Sequence, residues 1–300
     1  MKKHFMTTVA VGAVALLGLT ACAGTSESND TGGEGSGDQK SLTVGVFNGW
    51  PEGEAASYLW KAVLEEQGYD VTLEYADAGP AYTALSAGDH DVIFDTWLPQ
   101  THADYMEEYG DDIEDLGSWN NDAVLTMAVN EDAPIDSLDE LAENADEFGN
   151  RIVGIEPGAG LTAAVKDKTI PTYGLDGMEF ITSSTPAMLA ELKAALDAGE
   201  NVAVTLWRPH WAYDEFPIKD LKDPEGTLGA AEEIHTVARS GFGEDFPELT
   251  GWIEAWELNS ELLYSMENAM YNSGADASEY ETIVADWIAE NQDYVDTLTS

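Results

Sequence analysis

The sequence predicts an α/β protein of two βαβ lobes with a ligand cleft between them. From residue 42 onward, short β-branched runs alternate with helical stretches, the pattern of a largely parallel sheet covered by helices. Residues 41–300 are long for one domain and natural for two, and a hydrophobic content of 44% is enough for a proper core. Three tryptophans stand where an apolar run stops, in Val44-Gly45-Val46-Phe47-Asn48-Gly49-Trp50, Val92-Ile93-Phe94-Asp95-Thr96-Trp97-Leu98-Pro99 and Val202-Ala203-Val204-Thr205-Leu206-Trp207-Arg208-Pro209. Open α/β sheets bind ligands at the carboxyl edge of their strands, where these indoles would lie.

In order, a strand is expected over 42–47 and a helix over 55–67, closed by Gly68. A strand over 71–75, a helix over 81–87 ended by Gly88 and a strand over 92–94 follow. A helix over 101–109 stops at Gly110, and 123–129 is again extended. Ser137 can cap a helix running to about Phe148. Next come a strand over 151–156, a helix over 161–168 and a strand over 179–182. Thr185-Pro186 reads as an N-cap and N1 pair opening a helix to Ala198, with Gly199 after it and a strand over 202–206. Beyond about Gly243 the pattern is helical only. Trp252, Trp256, Leu263, Met266 and Met270 fall near helical spacing, as do Tyr280, Val284, Trp287 and Ile288, and these read as core. Lobe 1 is then 41–126 with 236–300 and lobe 2 is 127–235, with crossings at 123–130 and 234–239.

Brought together at one sheet edge, Trp50, Trp97 and Trp207 would form an aromatic box suited to a cation that cannot donate hydrogen bonds. The competing reading is that these three of nine tryptophans fill the core.

The N-terminus bears on the compartment. Lys2-Lys3-His4 precedes an apolar stretch over 9–19, too short to span a bilayer comfortably. It ends in Leu19-Thr20-Ala21-Cys22, which resembles the lipobox of bacterial lipoproteins. That resemblance implies a signal peptide over 1–21, cleavage before Cys22 and diacylglycerol on its sulfur. Cys22 is the one cysteine in the chain, so no disulfide competes for it. Residues 22–40 are rich in Gly, Ser, Thr, Asp and Glu and read as a flexible linker after the lipidated Cys22. No later stretch reads as a transmembrane helix, so membrane attachment is expected through the lipid alone.

The chain carries 58 acidic against 12 basic residues, a formal net charge of −46. Such an excess argues against nucleic acid or anionic lipid as a partner. It suggests a protein that works in brine, where self-repulsion is screened.

Gly158-Ala159-Gly160-Leu161-Thr162-Ala163 follows a strand and opens a helix, matching the dinucleotide fingerprint G-x-G-x-x-A, with Glu179 about twenty residues on. An exported nucleotide-dependent enzyme is therefore the rival reading. Against it stand the lack of nicotinamide outside the cell and of an acid–base pair suited to hydride chemistry. Glycines before a helix expose backbone N–H groups to any small anion, a carboxylate included. Among the histidines no pair has metal-ligand spacing, and His90 and His235 show no polar cluster nearby. The acidic run from Asp111 to Asp115 reads as a solvated face. No catalysis, metal or cofactor is expected.

Four separated elements resemble the glycine betaine-binding lipoproteins of osmoprotectant ABC importers. They are Trp97-Leu98-Pro99-Gln100-Thr101-His102, Gly154-Ile155-Glu156-Pro157-Gly158-Ala159-Gly160-Leu161, Trp207-Arg208-Pro209-His210-Trp211 and Ala231-Glu232-Glu233-Ile234-His235-Thr236-Val237. The resemblance covers about residues 42–245 and implies a two-lobed, type II periplasmic-binding-protein-like fold. It implies an extracytoplasmic, lipid-anchored receptor that is not an enzyme and whose partners are a betaine and the permease and ATPase of an importer. Trp97 and Trp207 match the family's cage positions, with Trp50 the third wall. The amides of Gly160 and Leu161, with the side chain of His102, match the carboxylate-binding groups. Arg208 stands where a small residue is expected and is read as pointing outward. Choline, carnitine, proline betaine and ectoine are the alternative ligands for the same scaffold.

Overall fold

The computed structural model describes residues 40–300. The expected signal peptide, Cys22 and nearly all of the linker lie outside the described residues.

A single path of strands runs β2-β1-β3-β9-β4-β7-β5-β6, with β8 (Ile218–Asp220) added beside β4. Strands β1 (Ser41–Phe47), β2 (Asp70–Ala76) and β3 (Val92–Leu98) are mutually parallel, as are β5 (Arg151–Gly154), β6 (Glu179–Thr182) and β7 (Ala203–Arg208). β4 (Ile113–Asn130) joins the two sets. Ile113 to Ala123 pairs antiparallel with β9 (Glu232–Arg239), and Val124 to Val129 pairs antiparallel with β7. The changeover between Ala123 and Val124 falls inside the expected crossing. The α/β class is as the alternation predicts.

Helix α1 (Pro51–Glu66) begins on a proline, whose missing N–H costs nothing in a first turn, and carries Glu52 and Glu54 where the helix dipole favours anions. α2 (Ala78–Ala87) ends on left-handed Gly88. α3 (Ala103–Tyr109) starts two residues later than expected, because Pro99 to His102 form a turn. The 161–168 helix is α4 (Gly160–Ala164), a π turn over Val165–Thr169 and then α5 (Ile170–Tyr173). α6 (Thr185–Ala198) is capped by Ser184, whose hydroxyl accepts the Ala187 N–H at 3.3 Å, so Thr185 is its first residue and not its cap.

The helix expected from Ser137 to Phe148 is replaced by two 3₁₀ turns, Leu138–Glu140 and Ala145–Phe148. There the Asn144 side chain donates to the Glu140 carbonyl at 2.8 Å, offering the backbone a local alternative to a continuous helix.

The C-terminal helices α9 (Pro247–Glu254), α10 (Ser260–Tyr271) and α11 (Tyr280–Glu290) follow the short α7 (Ala212–Glu215) and α8 (Phe242–Asp245); of the expected aromatics Trp256, Tyr280 and Trp287 are buried and Trp252 is half-buried. Trp256 stacks on Trp119 with centroids 4.7 Å apart and meets Trp60 edge-on at 5.5 Å, so the tail belongs to the core of the first strand set. Among the described residues no helix is long and apolar enough to cross a membrane.

Candidate functional site: a tryptophan-lined cavity

Trp50 occupies the turn between β1 and α1, while Trp97 and Trp207 are the penultimate residues of β3 and β7. All three are buried and line one cavity, together with His102, Gly160 and Leu161. Its walls enclose about 270 Å³ of free space, the open mouth included. The indoles of Trp50 and Trp207 lie 6.2 Å apart at 62°, forming a corner, and the His102 ring stacks parallel to Trp50 at 5.6 Å. Every sequence-predicted site residue among the described residues is therefore gathered in one place. These indoles line the cavity and at the same time belong to the buried hydrophobic cluster.

His102 presents one polar atom to that cavity by elimination. Its Nδ1 accepts the Trp97 backbone N–H at 2.9 Å, so the proton of the neutral ring sits on Nε2, which is buried and has no protein partner. Burial lowers its pKa to about 3, so the ring is a neutral donor at physiological pH. The loop before it is fixed by Glu232, whose carboxylate accepts the N–H groups of Gln100 at 2.8 Å and Thr101 at 2.9 Å, and the Thr101 hydroxyl.

Across from that loop, Gly160 and Leu161 begin α4, where the first amides have no carbonyl one turn back to receive them. A Cβ at Gly160 would lie 2.1 Å from the Thr101 carbonyl oxygen, so the glycine permits the close approach. Tyr105 closes the same edge by donating to the Gly158 carbonyl at 2.9 Å.

Three acids in this neighbourhood are not among the sequence-predicted site residues. Glu52 lines the cavity and is buried; its carboxyl pKa is raised well above the usual range by burial, then by the charges of Asp95 and Glu267. Asp95 is raised by burial, against the hydrogen bond its Oδ1 accepts from the Trp97 indole at 3.0 Å. Glu156, from the glycine motif, accepts the Trp50 indole at a longer 3.4 Å, the Thr185 N–H at 2.7 Å and the Thr185 hydroxyl at 3.0 Å. A buried Asp in the middle of an apolar strand was the one visible hint.

Arg208 does not line the cavity: its partly exposed side chain pairs with Asp220 at 2.8 Å and lies over the Tyr213 ring at 3.4 Å. Two expectations are corrected. His235 does have a polar cluster, sitting between Asp115 at 2.9 Å and Glu233 at 3.3 Å. The acidic run is accordingly not all solvated, since Glu114 also receives the Gly241 N–H at 2.6 Å. His90 likewise reaches Glu74 at 3.4 Å.

The nucleotide alternative loses its geometry. Glu179 pairs with Arg151 at the start of β5, whereas the glycine turn follows the end of that strand, so the acid and the glycines stand at opposite edges. Among the described residues no group of three His, Cys, Asp or Glu side chains could hold a metal ion.

The described fold and cavity have counterparts. Residues 40–290 match the family model described as the substrate binding domain of an ABC-type glycine betaine transport system. A glycine betaine/carnitine transport binding protein of Listeria monocytogenes is 35% identical over 169 residues. That alignment spans 54% of this chain and 52% of the relative, so the chain covers about half the length of the curated protein it matches. Lactococcal OpuAC, solved in its closed-liganded conformation with glycine betaine, superposes with a TM-score of 0.80 at 27% identity, over 87% of this chain and 100% of that one. The glycine betaine/L-proline-binding protein of Borrelia burgdorferi gives a TM-score of 0.80 at 27% identity, over 87% and 97%. With the family matched over nearly its whole described length, the chain belongs to the substrate-binding domains of ABC-type glycine betaine transport systems.

Proposed function

We propose that this protein is an extracytoplasmic receptor that binds glycine betaine, or a related zwitterionic quaternary amine, and hands it to an ABC importer. The observation that carries the reading is the polarity of the cavity: indole faces from Trp50, Trp97 and Trp207, against the His102 Nε2–H and the first amides of α4. A trimethylammonium group has no N–H to donate, so ring quadrupoles and shape must recognise it, each desolvated face contributing up to about 2 kcal/mol. Neighbouring faces will not simply add. The carboxylate is received by neutral donors, which suits an anion in a chain this acidic. A micromolar complex requires about −8 kcal/mol. A ligand of about eight heavy atoms reaches that only in a well-enclosed site. Closure of two lobes, 41–126 with 236–300 over 127–235, would supply the enclosure and the form a permease engages. Attachment through a lipid on Cys22 belongs to the same reading.

Titration calorimetry with glycine betaine and choline tests it. Choline keeps the cation and lacks the carboxylate, so it should bind much more weakly. Equal affinities would strip His102, Gly160 and Leu161 of their role, and no heat or tryptophan fluorescence change with any betaine would sink the proposal. Carnitine, proline betaine and ectoine belong in the same panel to set the order of preference.

A further inference from the structure

Two of the three cage indoles differ from the other hydrogen-bonded tryptophans in what their N–H groups meet. Trp97 donates to Asp95 at 3.0 Å and Trp50 to Glu156 at 3.4 Å. Outside the cage the acceptors are neutral. Trp119 donates to the Phe94 carbonyl at 2.8 Å, Trp256 to the Tyr294 hydroxyl at 2.9 Å and Trp287 to the Ser265 hydroxyl at 2.8 Å. The N–H groups of Trp60 and of the third cage indole, Trp207, have no acceptor. A buried indole therefore does not need an acid in this fold, yet two of the three cage walls have one.

Burying carboxyl groups is costly unless something repays it. Glu52 and Asp95 are 1% and 2% exposed, and one oxygen of each has no protein partner. Asp95 fits beside the start of α1 because residue 53 is glycine: a Cβ there would lie 2.5 Å from Asp95 Oδ2. A cation in the cage favours the ionised form of an acid beside it. An anionic acceptor on an indole N–H pushes electron density onto the ring and deepens the negative potential of its face. The charge itself also acts on a cation through a dry interior.

We propose that Asp95 and Glu156 are specificity-determining residues that act through the indoles they hold, making the cage demand a positive charge and not merely three methyl groups. The proposal rests on the betaine reading above.

The test compares glycine betaine with tert-butylacetate, the same shape and carboxylate with a neutral quaternary carbon in place of nitrogen. Calorimetry on the wild type should give a betaine preference of at least about a hundredfold. Asp95→Asn and Glu156→Gln each keep an amide oxygen near the indole and remove the charge. Each should shrink the preference by about tenfold. The two variants are independent, so loss of folding in one leaves the other to decide. Equal weakening of both ligands in every folded variant, or a wild type indifferent to the charge, overturns the inference while leaving betaine binding intact. A wild type that binds neither ligand overturns the betaine reading, and this inference with it.

Discussion

His102 and His210 are built alike. Each Nδ1 accepts a backbone N–H, from Trp97 and Ala212, each Nε2–H has no protein partner, and burial lowers each pKa to about 3. Because the folded value lies below the ordinary 6.5, the unfolded chain takes up the proton first. Their contribution to stability is thus whole above about pH 6.5 and is lost as pH falls toward 3. The raised carboxyls of Glu52 and Asp95 work oppositely, their folded state holding protons that the unfolded chain releases above about pH 4. Between these limits the two sets offset each other. His210→Gln, behind Trp207 and outside the cavity lining, should make stability less sensitive to acid, by about 2 kcal/mol between pH 7 and 5. Urea unfolding at both pH values measures this, and an unchanged difference would mean that the ring is already charged. For binding, Trp97→Ala and Trp207→Ala should each weaken betaine at least about tenfold and leave the far-ultraviolet circular dichroism unchanged. Wild-type affinity in either would reduce that indole to packing. These tryptophans were legible because each ended an apolar run. Glu52 was not, since an acid in a helix's first turn is already accounted for by the helix dipole.

Among the elements, β4 carries the largest difference between expectation and structure. Its end over 123–129 is legible as an apolar run in which Met127, Ala128 and Val129 are all buried, whereas 113–122 buries its positions irregularly, with register shifts against β9, through an acidic stretch that resembles a loop. The start of α6 differs from expectation by one residue because Ser184 and Thr185 can both cap and only the tertiary context of Glu156 assigns Thr185 to the first turn. The loop after β3 is the element on which the proposed anion end of the site depends. Glu232 on β9 holds it by three acceptor contacts, so Glu232→Ala leaves the Gln100 and Thr101 amides without partners and frees His102 to shift. Betaine affinity should fall by about tenfold or more, while choline, which has no carboxylate to place, should be nearly unaffected. Parallel losses for both ligands in calorimetry would show that the loop supports the indoles and not the anion site.

At the scale of the whole molecule, the net charge of −46 acts on the fold more than on the site. Among the described residues Lys61, Arg151, Lys193, Arg208, Lys219 and Arg239 each pair with an acid, and over the whole sequence 58 acidic residues stand against 12 basic ones. Salt weakens both the repulsion and the pairs, but an exposed pair contributes only about 0–1 kcal/mol and the repelling charges far outnumber the pairs. Screening shortens from about 10 Å at 0.1 M to about 3 Å at 1 M, so the melting temperature should climb steadily over that range. A flat or falling curve would remove the link to brine. The ligand's own contribution separates from this effect. Saturating betaine at a hundred times its dissociation constant adds about 2.7 kcal/mol whatever the salt, provided the affinity itself is unchanged. The proposed cation site is lined by buried indoles, and buried charges are screened little. Melts with and without betaine should therefore run nearly parallel from low to molar NaCl. Curves that converge at high salt would place the attraction for the ligand in the exposed acids instead of the carboxyls behind the indoles.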